Sequence, residues 1–161
     1  MIRQALMREL DEILAIYDTA RAFMRANGNH RQWVNGYPGR DLLKSDIENG
    51  RLFVIEEENA VHGVFAFFLG EDPTYGLIEY GQWPNHEPYG TIHRIASDGA
   101  AKGVLAKALA FALEKTDQVR ADTHQDNLPM QRALLKNGFQ RCGIIYLENG
   151  DPRIAYQYSK E

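Results

Sequence analysis

The sequence predicts a mixed α/β fold, a central sheet with helices on both faces. Three observations carry this. The 161 residues are 44% hydrophobic, enough for a substantial core. A run of strand patterns precedes alternating strand–helix units. Asn-Gly pairs close the helices, at Asn27-Gly28, Asn49-Gly50 and Asn137-Gly138.

Residues 2–6 open with a short strand pattern. From Glu9 to Met24 apolar residues recur at three and four (Leu10, Ile13, Leu14, Tyr17, Ala20), which predicts an amphipathic helix. Residues 30–39 read as a loop and 41–48 as a shorter helix. Leu52–Ile55 and Val61–Leu69 read as two strands of a hairpin, turning at Glu57-Glu58-Asn59. Residues 71–90 hold three prolines and three glycines and read as a long surface segment, with a strand pattern at 77–80. Thr91–Ser97 is a strand broken at Asp98-Gly99. Lys102–Lys115 is a helix, Val119–Thr123 a strand, and Asn127–Lys136 a helix with Pro129 in its first turn. Two strands, 139–147 and 153–158, close the chain around the turn at 148–151. The order β-α-α-β-β-β-α-β-α-β-β, without repeat or linker, is expected to form a single domain over residues 1–161.

Charge and composition narrow the function. A formal net charge of -4 makes nucleic acid a poor partner. The one cysteine, Cys142, suits a reducing compartment. The densest apolar stretch, Val61–Leu69, is far short of the ~20 residues that cross a bilayer, and no secretory leader pattern is visible, so a cytoplasmic location without membrane association is expected. No zinc-type Cys/His spacing, Gly-x-Ser-x-Gly elbow or Walker loop occurs, and no metal is expected.

The informative unit is strand, glycine turn, helix at 91–115. Such a turn aims free backbone N–H groups and a helix dipole at one point, which makes an anion site. Asp98-Gly99-Ala100-Ala101-Lys102-Gly103 is that turn. A second unit follows. Asn127, Met130, Leu134, Lys136, Gly138 and Phe139 lie on a helix that ends Lys-x-Gly-Phe. In these residues and in element order, over nearly the whole chain, the sequence resembles the GNAT acetyltransferase superfamily.

The resemblance implies a mixed, mostly antiparallel sheet of six to seven strands, four helices on its two faces, and a splayed strand pair forming an acetyl-CoA cleft. It implies that Ile95, Ala96 and Ser97 pair with the pantetheine arm. The pyrophosphate would rest on the amides from Asp98 to Ala106, including Gly99, Lys102, Gly103 and Val104, with Asn127 beside the thioester. The family's phosphate signature, Gln/Arg-x-x-Gly-x-Gly/Ala, falls here on Ala100–Leu105, where Gly103 alone agrees. Leu134 stands where many members carry a tyrosine that protonates the leaving thiolate.

Transfer to an amine needs a proton acceptor, and histidine exchanges protons near neutral pH. His93, on the strand leading to the turn, is the first candidate; a structural histidine of the sheet is its other reading. His124 and Glu79 follow, with solvated loop positions as alternatives. Tyr146 or Tyr89 could stand in for the absent helix tyrosine. Arg94, next to His93, should point to the opposite face and pair with a carboxylate. Aromatics in the two irregular segments, Trp33, Tyr37, Trp83 and Tyr89, together with nearby carboxylates, suit a cationic amine; equally, they could pin down the long loops. The expected function is acetyl transfer from acetyl-CoA to a primary amine of a small molecule, amino acid or peptide, with no metal and with a homodimer as the commonest assembly. The alternative is a non-catalytic GNAT-like module with a weakened coenzyme A site.

Overall fold

The computed structural model describes residues 1–160. Seven strands form one sheet: β1 (Ile2–Gln4), β2 (Leu52–Glu57), β3 (Ala60–Leu69), β4 (Gly90–Ser97), β5 (Gln118–Thr123), β6 (Gln140–Tyr146) and β7 (Pro152–Ser159). Their order is β1-β2-β3-β4-β5-β7-β6, so the last strand inserts between β5 and β6. Among the described residues only β4 and β5 run parallel; the other neighbours are antiparallel.

Four helices cover the sheet: α1 (Leu10–Ala26), α2 (Arg40–Glu48), α3 (Val104–Leu113) and α4 (Leu128–Lys136). α1 and α2 lay Leu10, Ile13, Ile16, Tyr17 and Leu43 on Val54, Val64 and Ala66 of one face. α3 and α4 lay Leu105, Leu109, Ala112 and Leu134 on Phe53, Phe65, Phe67, Ile92 and Tyr156 of the other. Each such leucine contributes about 1.5–3 kcal/mol on burial. α3 begins two residues later than its pattern predicts, because Gly103 before it is left-handed, at φ 63°. Residues 77–80 form no strand: Glu79 alone bridges to Ile144, and the segment folds instead around a third core of Tyr75, Trp83 and Tyr89 on Ile145 and Ala155.

Two irregularities at the centre of the sheet make the cleft. The first is a bulge in β4. Ala66 faces His93 and Val64 faces Ala96, so Phe65 opposes two residues, Arg94 and Ile95. Arg94 sits at φ 51°. The second is the parting of β4 from β5. They pair at Gly90–Val119 and Thr91–Arg120 only. Beyond Thr91 the facing edge of β4 has no neighbouring strand. No helix among the described residues is long and apolar enough to cross a membrane.

Candidate active site

Two cavities open beside the parted strands. One, of about 400 Å³, is lined by Ile95, Ala96, Ser97, Asp98, Gly99 and Val104. The other, of about 620 Å³, is lined by Trp33, Tyr37, Asp72, His93, Asp122 and Arg153. Met24, Ile95, Leu105, Asn127 and Met130 border both, so the two meet at the β4 bulge.

The first cavity has the features expected of a site for an extended chain and an anion. Its walls are apolar along α4 and the unpaired β4 edge can accept an extended chain. The amides of residues 102–106 make no hydrogen bond to the protein among the described residues. A Cβ on Gly103 would meet nothing within 4 Å, so the backbone there is open to a ligand. Part of the expected cradle is otherwise engaged. The Gly99 amide donates to Ser97 Oγ at 3.0 Å and the Ala100 amide to Asp98 Oδ1 at 2.9 Å. The free amides therefore lie at Lys102–Ala106, one turn later than the expected start at Asp98. Asn127 caps α4, its Oδ1 accepting from the Met130 amide at 3.2 Å, and its Nδ2 donates to Gln32 Oε1 at 2.9 Å. Its side chain is thus committed to holding the cleft wall.

The second cavity gathers titratable side chains. His93 Nε2 lies 2.9 Å from Asp72 Oδ2, and its Nδ1 lies 3.8 Å from Asp122 Oδ2. Asp72 is fixed by four hydrogen bonds, two of them local. Its Oδ1 accepts from the Thr74 amide and Oγ1, at 2.9 and 2.7 Å, and its amide donates to Tyr89 Oη at 2.8 Å; the fourth is the His93 bond. Burial pushes the Asp72 carboxyl up, but the bonds from His93 and Thr74 outweigh it and hold the group at about 2. Tyr75 donates to Asp122 Oδ2 at 2.7 Å, and burial beside that carboxylate raises the phenol well above its ordinary value.

The bulge also moves Arg94. Strand alternation places it opposite His93, but the left-handed turn brings it to the same face. There Nε and Nη2 donate to Asp46 Oδ2 of α2 at 3.1 and 2.8 Å. The pairing with a carboxylate holds; the expected face does not. Tyr17 of α1 donates to the Arg94 carbonyl at 2.7 Å, tying the bulge to the helix layer.

Several expected site residues lie elsewhere. Glu79 and Tyr146 are neighbours, and their hydrogen bond raises the Tyr146 phenol. They sit at edge strand β6, three strand spacings from β4, roughly 14 Å. Neither lines either of these two cavities. His124 is buried, and its Nδ1 accepts from the Asp126 amide at 2.9 Å, so that lone pair closes a turn. Burial and then Arg153 lower its basicity. Trp83 and Tyr89 are 8% and 7% exposed and line no cavity. Their rings clamp the Arg120 guanidinium at 3.8 and 3.9 Å. They pin the 71–90 segment, the other reading given above, and Tyr89 reaches the site only through the Asp72 amide. Trp33 and Tyr37 line the second cavity, in edge contact with each other at 6.4 Å. Lys102 is exposed at the rim of the turn. Cys142 is buried, and that burial raises its thiol.

Sequence reasoning missed Asp122, Gln32 and Arg153, and it reached Asp72 only as one of the carboxylates of the 71–90 segment that suit a cationic amine. Asp72 directly precedes Pro73-Thr74, a helix-capping signal that marks a fixed carboxylate. Nothing local marks the other three. Gln32 Oε1 receives Asn29 Nδ2 and Asn127 Nδ2, both at 2.9 Å, locking the 27–39 loop over the cleft. Among the described residues no group of three His, Cys, Asp or Glu side chains is arranged to hold a metal ion.

Residues 2–140 match the family model described as an acetyltransferase (GNAT) domain. No curated protein matches the chain. Among solved structures, a GNAT-family acetyltransferase from Streptococcus agalactiae is 34% identical, with 100% of this chain and 95% of that chain covered and a TM-score of 0.90. A GNAT-family acetyltransferase from Bacillus cereus is 22% identical, covering 100% and 97%, with a TM-score of 0.64. The ribosomal-protein-alanine N-acetyltransferase from Brucella melitensis is 20% identical, covering 99% of each, with a TM-score of 0.61; these two share the fold. With its parted β4–β5 pair, its bulge and this match, the chain belongs to the GNAT acetyltransferase family.

Proposed function

We propose that this protein transfers an acetyl group from acetyl-CoA to a primary amine, with His93 as the proton acceptor. The observation that carries the reading is the meeting of two cavities at the β4 bulge. One is shaped for a thioester arm, and the other holds an ordered His93 between two carboxylates.

Bound acetyl-CoA supplies an acyl carbon activated as a thioester. The chain's part is positioning, proton transfer and exclusion of water. The amides of 102–106 and the α3 dipole hold the diphosphate, and the free β4 edge holds the arm. Asp72 is an ionised carboxylate, which only accepts hydrogen bonds, so His93 Nε2 carries the proton of that contact. The Nδ1 lone pair is therefore free to take a proton from the acceptor amine. Asp122, 3.8 Å from Nδ1, stabilises the imidazolium that results. Trp33 and Tyr37 close the outer wall. Leu134 lines the cavity and offers no proton, so the leaving thiolate departs unassisted or by solvent.

A non-catalytic, ligand-sensing module is favoured by two features, Leu134 and the prior bonding of the Gly99 and Ala100 amides. One pair of measurements separates the readings. Thermal unfolding with acetyl-CoA at 100 times its Kd should show about 2.7 kcal/mol of stabilisation in either case. Thiol release with a primary-amine panel should then show turnover for the enzyme. Binding without turnover on any amine selects the sensing module, and no stabilisation at millimolar acetyl-CoA refutes both.

A further inference from the structure

Arg153 is the cation that the acetyl-transfer mechanism leaves unused. It is 5% exposed, yet it lines the acceptor cavity. No carboxylate among the described residues forms an ion pair with it. Its recorded partners are two carbonyls: Pro152 O at 2.8 Å and, more distantly, Gln32 O at 3.5 Å. The other arginines around this cleft are matched, Arg94 by Asp46 and Arg31 by Asp126. Asp122 acts on Arg153 only through space; its Oδ2 is taken by Tyr75 and faces His93. Asp151, the other carboxylate near it, has its Oδ2 bound by Asn149 Nδ2 at 3.2 Å. A buried guanidinium without an anion is costly, and its planar fork fits a carboxylate with two hydrogen bonds.

The sheet register fixes where that anion must sit. Asp122 of β5 is directly opposite Ala155 of β7, so the two share a face. Arg153, two residues from Ala155, shares it as well. Asp122 and Arg153 are then diagonal neighbours, with a separation of roughly 7–8 Å that long side chains narrow. His93 approaches Asp122 from the opposite side, from β4. One small molecule lying along Asp122 therefore meets a base at one end and a guanidinium at the other. Resting on the acetyl-transfer reading of this cavity, we infer that the acceptor is an α-amino acid, its carboxylate bound by Arg153 and its amine held between Asp122 and His93. The amine and carboxylate of an α-amino acid hang from one carbon, which matches this spacing. An amine at a peptide N-terminus lacks the adjacent carboxylate.

The test compares matched acceptors. The twenty L-amino acids are assayed by thiol release with acetyl-CoA. The best of them is then compared with its amide, its decarboxylated amine and its 1-aminoalkylphosphonate, in wild type, Arg153→Met and Arg153→Lys. The expected result is a kcat/KM for the amino acid at least 10–100-fold above the amide and the amine, the range of a charge-assisted hydrogen bond. Arg153→Met should collapse that ratio towards one, and Arg153→Lys should reduce it. If Arg153→Met fails to fold, by circular dichroism and the coenzyme A thermal shift, Arg153→Lys decides alone. Equal turnover of acid, amide and amine, a preferred phosphonate, or a ratio unchanged in the folded variants overturns the inference. If no acceptor is turned over, calorimetric titration of the same amino acids and amines decides. Carboxylate-dependent binding lost in the Arg153 variants upholds the site and refutes the acetyl-transfer reading. Absence of such binding refutes the inference itself.

Discussion

Asp72→Asn changes one atom in the contact that orients the base. In the native protein the carboxylate accepts from His93 Nε2 at 2.9 Å, which leaves the Nδ1 lone pair towards the cavity. The asparagine amide can keep Thr74 on its oxygen, as Oδ1 does now. Its nitrogen then faces Nε2 and donates to it. The imidazole proton must move to Nδ1, and the base is lost without change of volume. General-base assistance is worth roughly 10²–10⁴ in rate, so kcat should fall by that factor, about 3–5 kcal/mol in barrier. Asp72 acts through His93 and is a positioning residue. Two readouts therefore separate its role from simple loosening of the loop. Coenzyme A affinity should be unchanged in Asp72→Asn, and the ¹⁵N shifts of His93 should report the tautomer exchange. Asp72→Glu should recover part of the rate. A kcat within threefold of wild type, or an unchanged His93 tautomer, would refute the reasoning.

Gly103→Ala places a side chain at φ 63°, where nothing in the protein opposes it. It should lower stability by about 1–2 kcal/mol from backbone strain and, by calorimetry, weaken coenzyme A by tenfold or more; unaltered affinity would remove this turn from the binding site. Asp46→Ala strands the Arg94 guanidinium, whose side chain is 13% exposed, and should cost about 3–5 kcal/mol in chemical denaturation. A loss under 1 kcal/mol would show that the bulge does not depend on this pair. His62 Nδ1 lies 2.7 Å from Asp98 Oδ2 beside the turn, and that bond raises the imidazole above its ordinary 6.5. A raised value means the stabilisation is complete below pH 6.5 and is lost as pH climbs through the higher folded value. His62→Ala should flatten this part of the stability–pH curve, and an unchanged slope would assign it elsewhere. Asp72 behaves oppositely: its depressed value keeps its contribution whole above its ordinary 3.8, to be lost only as pH falls through about 2. Acid unfolding of Asp72→Asn should therefore lack a component in that window.

Local pattern determined the elements. Apolar spacing placed α1 and α4 within a few residues, because a helix face repeats within a single stretch of chain. Gly103 and Asn127 were visible for a similar reason: a left-handed residue before a helix and an Asx cap leave signatures in their neighbours. The sequence alone thereby determined the layered α/β class, and it singled out the turn at Gly103 and His93 as candidates. Only the tertiary structure decided what surrounds that base. Asp72, Asp122 and Arg153 come from a capped turn, β5 and β7, and nothing within any one of those segments refers to the others. The insertion of β7 between β5 and β6 brings Arg153 beside Asp122, while it leaves Glu79 and Tyr146 at the far edge. Arg120 turned Trp83 and Tyr89 inward, since a buried guanidinium offers aromatic rings a stronger partner than solvent does. One extra residue in β4 reversed the side of Arg94. Alternation is a property of one strand, whereas a bulge is defined by two strands falling out of step, and the partner is known only once the sheet is built.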